Sequence, residues 1–383
     1  MSKSTSDCRA TERKHPWPMV RLGDVCEDKI QRIKSISESR IAYIDIASID
    51  NVQKRVVGVK EYDVDDAPGR AQQVVIPGDV LVSNVRPNLN AVAIVDVASA
   101  IPLIASTGFC VLRVKDNVLP KYVYYYAQTS DFIDPLAAVS EKASYPSVTD
   151  TIVKDSLVPL PPLPVQREIV ARLERELAAV EKMKKGFASL AETAKAEFKA
   201  ELKEVFEEIK HRGTETRRLG DVCDTISTRG HQIKQSEIGD CGKFPVVSQS
   251  ENDIEGWTNE DIAIDTVPLV LFGDHTCVVK KIDEPFVVGA DGAKLLRSSE
   301  CDNSFLFYFI KETAVSLLDG EYRRHYSDLA NAEIPIPPLS VQREVVARLD
   351  SAKARAEKLE AKAREGVAVC ETMRKAILKE AFE

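Results

Sequence analysis

The chain writes one sentence twice. LPPLPVQREIVARLE begins at residue 160 and IPPLSVQREVVARLD at residue 336, each at the mouth of a long charged, alanine-rich segment. A second pair agrees with the first: VRLGDVCEDKI from residue 20 matches RRLGDVCDTIS from residue 217. The offset is 197 residues at the LGDV openings and 176 at the VQRE exits, so the first middle is 21 residues longer. Repeats of this length are a duplicated architecture rather than a solenoid, whose periods run ~20–50 residues. Any fold for this chain must therefore repeat one plan, with common ends and free middles.

Each exit leads into a long helix. Proline suits a first helical turn, which places the first start near Pro164, and serine is a favoured N-cap, which places the second near Ser340. From Val165 to Ile209, apolar or alanine positions recur 44 residues apart in 12 steps, about 3.7 per step and helical throughout. The seam runs through Ile169, Leu173, Leu177, Val180, Met183, Phe187, Leu190, Ala194, Phe198, Leu202 and Val205. The second helix repeats it through Val345, Leu349, Ala352, Ala356, Leu359, Ala363, Val367, Cys370, Met373 and Ile377. At ~1.5 Å per residue the first helix spans ~70 Å. A narrow seam of that length needs a partner, and each helix is the other's obvious candidate, so the pattern predicts an antiparallel coiled pair. Val170, Phe206, Val346 and Leu378 fall off the seam and read as spare apolar surface for partner subunits. Gly186 and Gly366 inside the helices read as a bend or a close crossing, and Gly213 as the first helix's C-cap.

The middles carry strand patterns at 40–50, 74–85, 91–97 and 108–114, with a short helix at 121–133. The second unit parallels this with strands at 266–274, 276–282, 285–290 and 293–298 and a helix at 304–318. The boundaries read as a tail over 1–16, a first head over 17–158, a helix over 159–212, a second head over 213–339 and a helix over 340–383.

Composition narrows the class. With 383 residues, 44% of them hydrophobic and 29% charged, the chain is a multi-domain globular protein. No apolar run approaches the ~20 residues that cross a bilayer, and the N-terminal stretch has no apolar signal core, so a cytoplasmic location is expected. The eight cysteines include no C-x-x-C pair and read as reduced thiols.

The LGDV openings, the GDVLVSNVRP turn, the VPLPPLPVQREIV and IPIPPLSVQREVV exits and the duplicated helices together resemble the DNA-specificity subunit of type I restriction-modification systems. The resemblance covers residues 17–383, and the paired VQRE exits are its most specific part. It implies an α+β fold: two α/β target-recognition domains separated by two long antiparallel helices, with internal pseudo-twofold symmetry. It further implies that each head reads one half of a split site in double-stranded DNA, while the helices set the spacing and dock two methyltransferase subunits and, where present, restriction (translocase) subunits. S-adenosylmethionine, ATP and Mg2+ would then belong to those partners, with no cofactor and no metal in this chain. Two heads on a shared spacer suit a reader of two words a set distance apart, since half-sites recur at about one DNA turn, ~34 Å.

The residues themselves show no catalytic set. GDCGKF at 239–244 is not a phosphate-binding loop, no glycine-rich S-adenosylmethionine loop occurs, and HTC at 275–277 has no second ligand pair. A self-contained methyltransferase or nuclease, and a coiled-coil scaffold whose heads bind proteins, are the alternatives. Base readout needs polar side chains presented from loops. In the first head Ser83, Asn84, Arg86, Asn88 and Asn90 follow a strand, and Lys142, Ser144 and Tyr145 precede the exit. In the second head Tyr322, Arg323, Arg324 and His325 stand in the corresponding place, with Arg229, His231, Gln249 and Asn252 as further candidates. The plainer readings are a polar turn whose asparagines cap the backbone at 83–90 and a solvated basic turn at 320–328. Charge objects as well: residues 217–339 hold 12 lysines and arginines against 21 acids, net −9, and residues 17–158 hold 15 against 18, net −3. A free-standing DNA-binding domain is seldom so acidic. The chain should therefore bind DNA feebly alone and more tightly with its partner subunits.

Overall fold

The two repeated sentences turn out to be the two edges of one joint. In the computed structural model, which describes residues 16–141, 146–289, 292–318 and 323–383, the strand Met19–Arg21 pairs antiparallel with Leu157–Pro159, Met19 opposite Pro159. The strand Thr216–Arg218 pairs in the same way with Glu333–Pro335, Thr216 opposite Pro335. Each LGDV then forms a single helical turn, Leu22–Val25 and Leu219–Val222. Its glycine lies against the last short helix of the same head: a Cβ on Gly23 would sit 3.4 Å from the carbonyl oxygen of Lys154, and one on Gly220 3.2 Å from that of Ala330. The openings and exits repeat because they hold each other, and the middles vary because they do not take part.

The long helices run over Leu163–His211 and Leu339–Phe382. Ser340 lies inside the second helix rather than capping it, because Pro338 accepts from Val341 and Gln342 and so starts the helix one residue earlier. The glutamine of VQRE has its own task. Gln166 is fully buried; its Oε1 accepts from the amide of Leu119, and its Nε2 donates to the carbonyls of Asn117 and Pro161. Gln342 does the same with the amide of Asp302 and the carbonyls of Glu300 and Pro337. Each glutamine thus staples the start of a long helix to the start of a head helix, Pro120–Tyr126 or Asn303–Leu317. Replacing Gln342 by alanine strands three backbone groups, the buried Pro337 carbonyl among them, and should cost about 2–3 kcal/mol, read from urea unfolding of the full chain.

The chain divides into two compact units, Met1–Lys185 with Val367–Glu383, and Gly186–Gly366. The division cuts each long helix near its middle rather than separating heads from helices. In the first unit one five-stranded sheet orders Phe109–Leu112, Val80–Ser83, Val92–Ile94, Arg55–Val56 and Ile49–Asp50; a four-stranded sheet orders Lys60–Asp63, Arg40–Ile44, Leu103–Ser106 and Ala71–Val75. The helix expected over 121–133 is two helices, Pro120–Tyr126 and Ser130–Ser140. Their aromatic side chains meet the C-terminal helix: Phe382 sits edge-on between Tyr122 and Tyr126, ring centroids 5.2 Å from each. Antiparallel helix pairing shows in Arg172 with Glu380 at 3.9 Å and in Lys184 with Glu371.

In the second unit a four-stranded sheet orders Asp224–Ile226, Ala293–Arg297, Leu269–Gly273 and Val279–Ile282, beside a three-stranded sheet of Gly256–Thr258, Phe244–Val247 and Val287–Val288. The helices again run antiparallel: Arg348 reaches Glu201 and Glu208 at 3.2 and 3.1 Å, and Arg355 reaches Glu201 at 3.0 Å.

Two expectations about the helices need correction. Phe206 is not spare: it is 1% exposed and packs edge-on against Phe305 and Phe309 at 5.4 and 5.5 Å. Val170 and Leu378 are buried in the first head's core and Val346 packs against the second's. A helix here must face a head as well as a helix, so its buried face is wider than one seam. Conversely Met183, Leu190 and Met373, counted in the seam, are 41%, 36% and 39% exposed. Small seam residues, Ala194 and Ala363 among them, are buried beside the large ones that face the heads. At Gly366 a Cβ would fall 2.4 Å from the Phe187 ring, a close crossing, whereas Gly186 has no neighbour within 4 Å and nothing in the structure explains it. Gly213 adopts φ +72° and donates to the carbonyl of Lys210, as a C-cap should.

Candidate nucleic-acid interface

The two heads present loops on the same backbone frame, although the loop sequences share nothing. In the first head Asn84 follows the strand Val80–Ser83; its amide donates to the carbonyl of Gly108, and its carbonyl accepts from Val148. Its Nδ2 donates to Asp150 Oδ1 at 2.6 Å, in the short helix Asp150–Lys154. In the second head Asp274 follows Leu269–Gly273; its amide donates to Gly292, its carbonyl accepts from His325, and its Oδ1 accepts from the amide of Tyr326 at 2.9 Å, in the helix Tyr326–Asn331. Each strand end is thus latched to the short helix before the exit. What the latch presents differs: Val85 and Arg86 in one head, His275 and Thr276 in the other.

Of the five candidates that follow the strand Val80–Ser83, only Arg86 and Asn88 are exposed. Ser83 is 3% exposed and closes a turn on Val85, and Asn84 is 8% exposed and engaged by Asp150, so both shape the loop from inside. Arg86 has φ 49° and ψ 63°, the left-handed region, and donates its amide to Pro146. A non-glycine residue there costs ~1–2 kcal/mol, which the surrounding hydrogen bonds must offset. The guanidinium makes no ion pair among the described residues. Asn90 is also left-handed, and half-buried; its Nδ2 donates to the carbonyl of Gln128 at 3.1 Å. Lys142, Ser144 and Tyr145 lie outside the described residues.

A support beneath this loop is invisible in the sequence. Lys54, itself left-handed and 9% exposed, donates Nζ to the carbonyl of Asn90; Tyr124 donates to the carbonyl of Lys54, and Arg374 of the C-terminal helix donates to Gln128 Oε1 at 2.6 Å. Burial, and then the nearby Arg374 charge, push the Lys54 ammonium down to about 8 from 10.5. Because the folded value is depressed, the unfolded chain holds the extra proton between about pH 8 and 10, and this group's contribution to stability rises with pH across that window. The difference in unfolding free energy between wild type and Lys54→Met should therefore grow by about 2 kcal/mol from pH 7 to pH 10. A pH-independent difference would contradict this account of Lys54.

In the second head Gln249, His275 and Arg323 come together: Gln249 Oε1 accepts from the amide of His275, and His275 Nδ1 meets the carbonyl of Arg323 at 3.2 Å. Gly292, at φ +88°, leaves room for this, since a Cβ there would fall 2.6 Å from Gln249 Nε2. Arg323 pairs with Asp328 at 2.5 Å, while Arg324 is exposed. His325 corrects the sequence reading: it is 1% exposed, its amide serves the latch, and its Nδ1 has no partner among the described residues, so the ring is an interior group and not a surface contact. Asn252 is exposed at a turn whose carbonyl Lys280 holds. Arg229 and His231 belong to another turn, where His231 Nδ1 meets the carbonyl of Ile262 at 2.7 Å. Tyr322 lies outside the described residues. Among the latch residues, Asp150, Asp274 and His275 carried no sequence signal for this role; only the repeated position of a polar residue after a strand could have suggested it.

A duplicated head with a constant frame, variable tips and a helix at each exit defines a two-part protein built twice on one plan. The sequence model of the type I restriction modification DNA specificity domain matches residues 14–186 and 211–367, and the chain belongs to that family. It is 25% identical over 148 residues, 34% of this chain, to the type I restriction enzyme EcoR124I/EcoR124II specificity subunit of Escherichia coli. It is 23% identical over 157 residues, 40% of this chain, to the HindI specificity subunit of Haemophilus influenzae. These matches span only 36% and 34% of those relatives' own lengths. Among solved structures, the chain is similar over 97% of its length (99% of the other) to one from work on complex assembly and conformational transition of the type I R-M system, at TM-score 0.80 and 29% identity. The HsdS subunit from Thermoanaerobacter tengcongensis matches over 96% of both chains at TM-score 0.57 and 29% identity.

Proposed function

We propose that this chain is the non-catalytic DNA-specificity subunit of a type I restriction-modification complex. The observation that carries the reading is the doubled latch, one backbone frame offering different side chains, which is what reading two different half-sites requires. Arg86 and Asn88 would read from the first head, Gln249 and Arg324 from the second, and the long helices would set the spacing. Two methyltransferase subunits would dock on the helices, where Met183, Val369 and Met373 leave apolar surface exposed, and would bring S-adenosylmethionine; translocase subunits, where present, would bring ATP and Mg2+. The complex would act in the cytoplasm, on double-stranded DNA. No helix among the described residues is long and apolar enough to cross a membrane. Methylation sequencing of genomes with and without the gene tests this. A methylated adenine motif in two parts around a fixed gap should vanish with the gene; an unchanged methylome favours the protein-binding scaffold instead.

A further inference from the structure

The net negative charge of both heads leaves open where a DNA backbone could be held, and the first head contains a place that answers it. A cleft of about 290 Å³ opens beside the latch, lined by Lys29, Arg32, Gln73 and Lys154 and by the two carboxylates Asp28 and Asp150. The elements forming it are fixed. The backbone of Arg32 bridges to that of Gln73, and Gln73, 4% exposed, donates to the carbonyls of Ser106 and Phe109 at 2.9 and 2.8 Å. Lys154 donates Nζ to the carbonyls of Glu27 and Asp28 at 3.0 and 3.3 Å, which leaves one of its three N–H groups. Of the two carboxylates, Asp150 is already engaged by Asn84. Lys29 and Arg32 are exposed and form no ion pair or side-chain hydrogen bond among the described residues.

We propose that Lys29, Arg32 and Lys154 form a phosphate clamp that grips the DNA backbone next to the Arg86 loop. Asp150 joins the two, because one end of its short helix holds Asn84 and the other supplies Lys154. The duplication gives independent support. Counted without gaps from the LGDV turns at Leu22 and Leu219, Arg32 falls on Arg229 of the second head, so both heads place an arginine the same number of residues after the same turn. Lys154 has no such match: the residue facing Gly220 is Ala330 where Lys154 faces Gly23. The second head therefore keeps the arginine at that count but has alanine where the first has Lys154, so the proposed clamp is complete only in the first head.

The inference rests on the function proposed above, and the test keeps the two apart. Binding of the full chain with its methyltransferase partners is measured against salt on DNA carrying the methylated motif and on scrambled DNA. Each phosphate contact contributes ~0.9 to the slope of log affinity against log salt. The double variant Lys29→Met/Arg32→Met should lower that slope by about 1.5–2 on both DNAs and leave the preference for the motif intact, while Lys60→Met, an exposed lysine elsewhere on the same head, leaves it unchanged. An undiminished slope in the double variant overturns the clamp even if the motif is still preferred. A diminished slope with no motif preference in wild type keeps the clamp and sinks the specificity reading. Titration with inorganic phosphate separates the remaining source: saturation at the cleft with an unaltered DNA slope would make it a site for free phosphate and overturn the DNA assignment.

Discussion

Phe206→Ala should destabilise the unit Gly186–Gly366 by about 3–5 kcal/mol, among the largest losses any single truncation in this chain would cause. The ring is 1% exposed and meets Phe305 and Phe309 edge-on, so the change removes a full aromatic side chain and two ring contacts from one site. It also removes them across the joint between the first long helix and the head helix Asn303–Leu317. Leu202, Val205 and Ile209 of the long helix share that core with Leu219, Leu329 and Ile334. The head and its stretch of helix should therefore unfold together in denaturant, with one midpoint by helix and by aromatic signals. Two separated midpoints would mean that the helix stands without the head, and the packing would not be what holds it.

Arg86→Gly should do the opposite: leave the fold intact and remove binding. Glycine accepts the left-handed conformation that arginine adopts there at a cost, so the unfolding midpoint should stay or rise. Specific affinity of the assembled complex should fall by about 1–3 kcal/mol, roughly 5- to 150-fold, with relaxed selection in one half of the site. Loss of binding together with loss of stability would make Arg86 a structural residue, and full affinity would remove it from the interface.

Much of this architecture could be read before any coordinate. The period of about 3.7 residues marks both long helices, because a repeated apolar stripe needs no knowledge of what it packs against. What it packs against is a different question, and there the stripe misled: Phe206 and Leu378 look spare on a helical wheel, yet each faces a head. The VQRE glutamine shows the same limit. Its repetition announces importance, but only the folded chain shows Gln166 and Gln342 buried at a helix start with three backbone partners each. The candidate loops are legible from residue type but their exposure is not: Ser83, Asn84 and His325 have the right chemistry and lie in the interior. The latch left only the faint trace of a polar residue after a strand in each head, since it is a pattern of backbone hydrogen bonds that Asn84 and Asp274 complete with different side chains. Lys54 was hidden for a similar reason: nothing local to a lysine says that its ammonium will lie under an asparagine carbonyl thirty-six residues away.

The central claim is that constant ends hold interchangeable readers. The most direct measurement exchanges residues 219–332, the stretch between the paired strands Thr216–Arg218 and Glu333–Pro335, for the same stretch of another family member, followed by sequencing of the methylated sites. One half of the motif should change while the other half and the gap stay as they were. A motif altered in both halves, or a gap that shifts with the exchanged head, would contradict it.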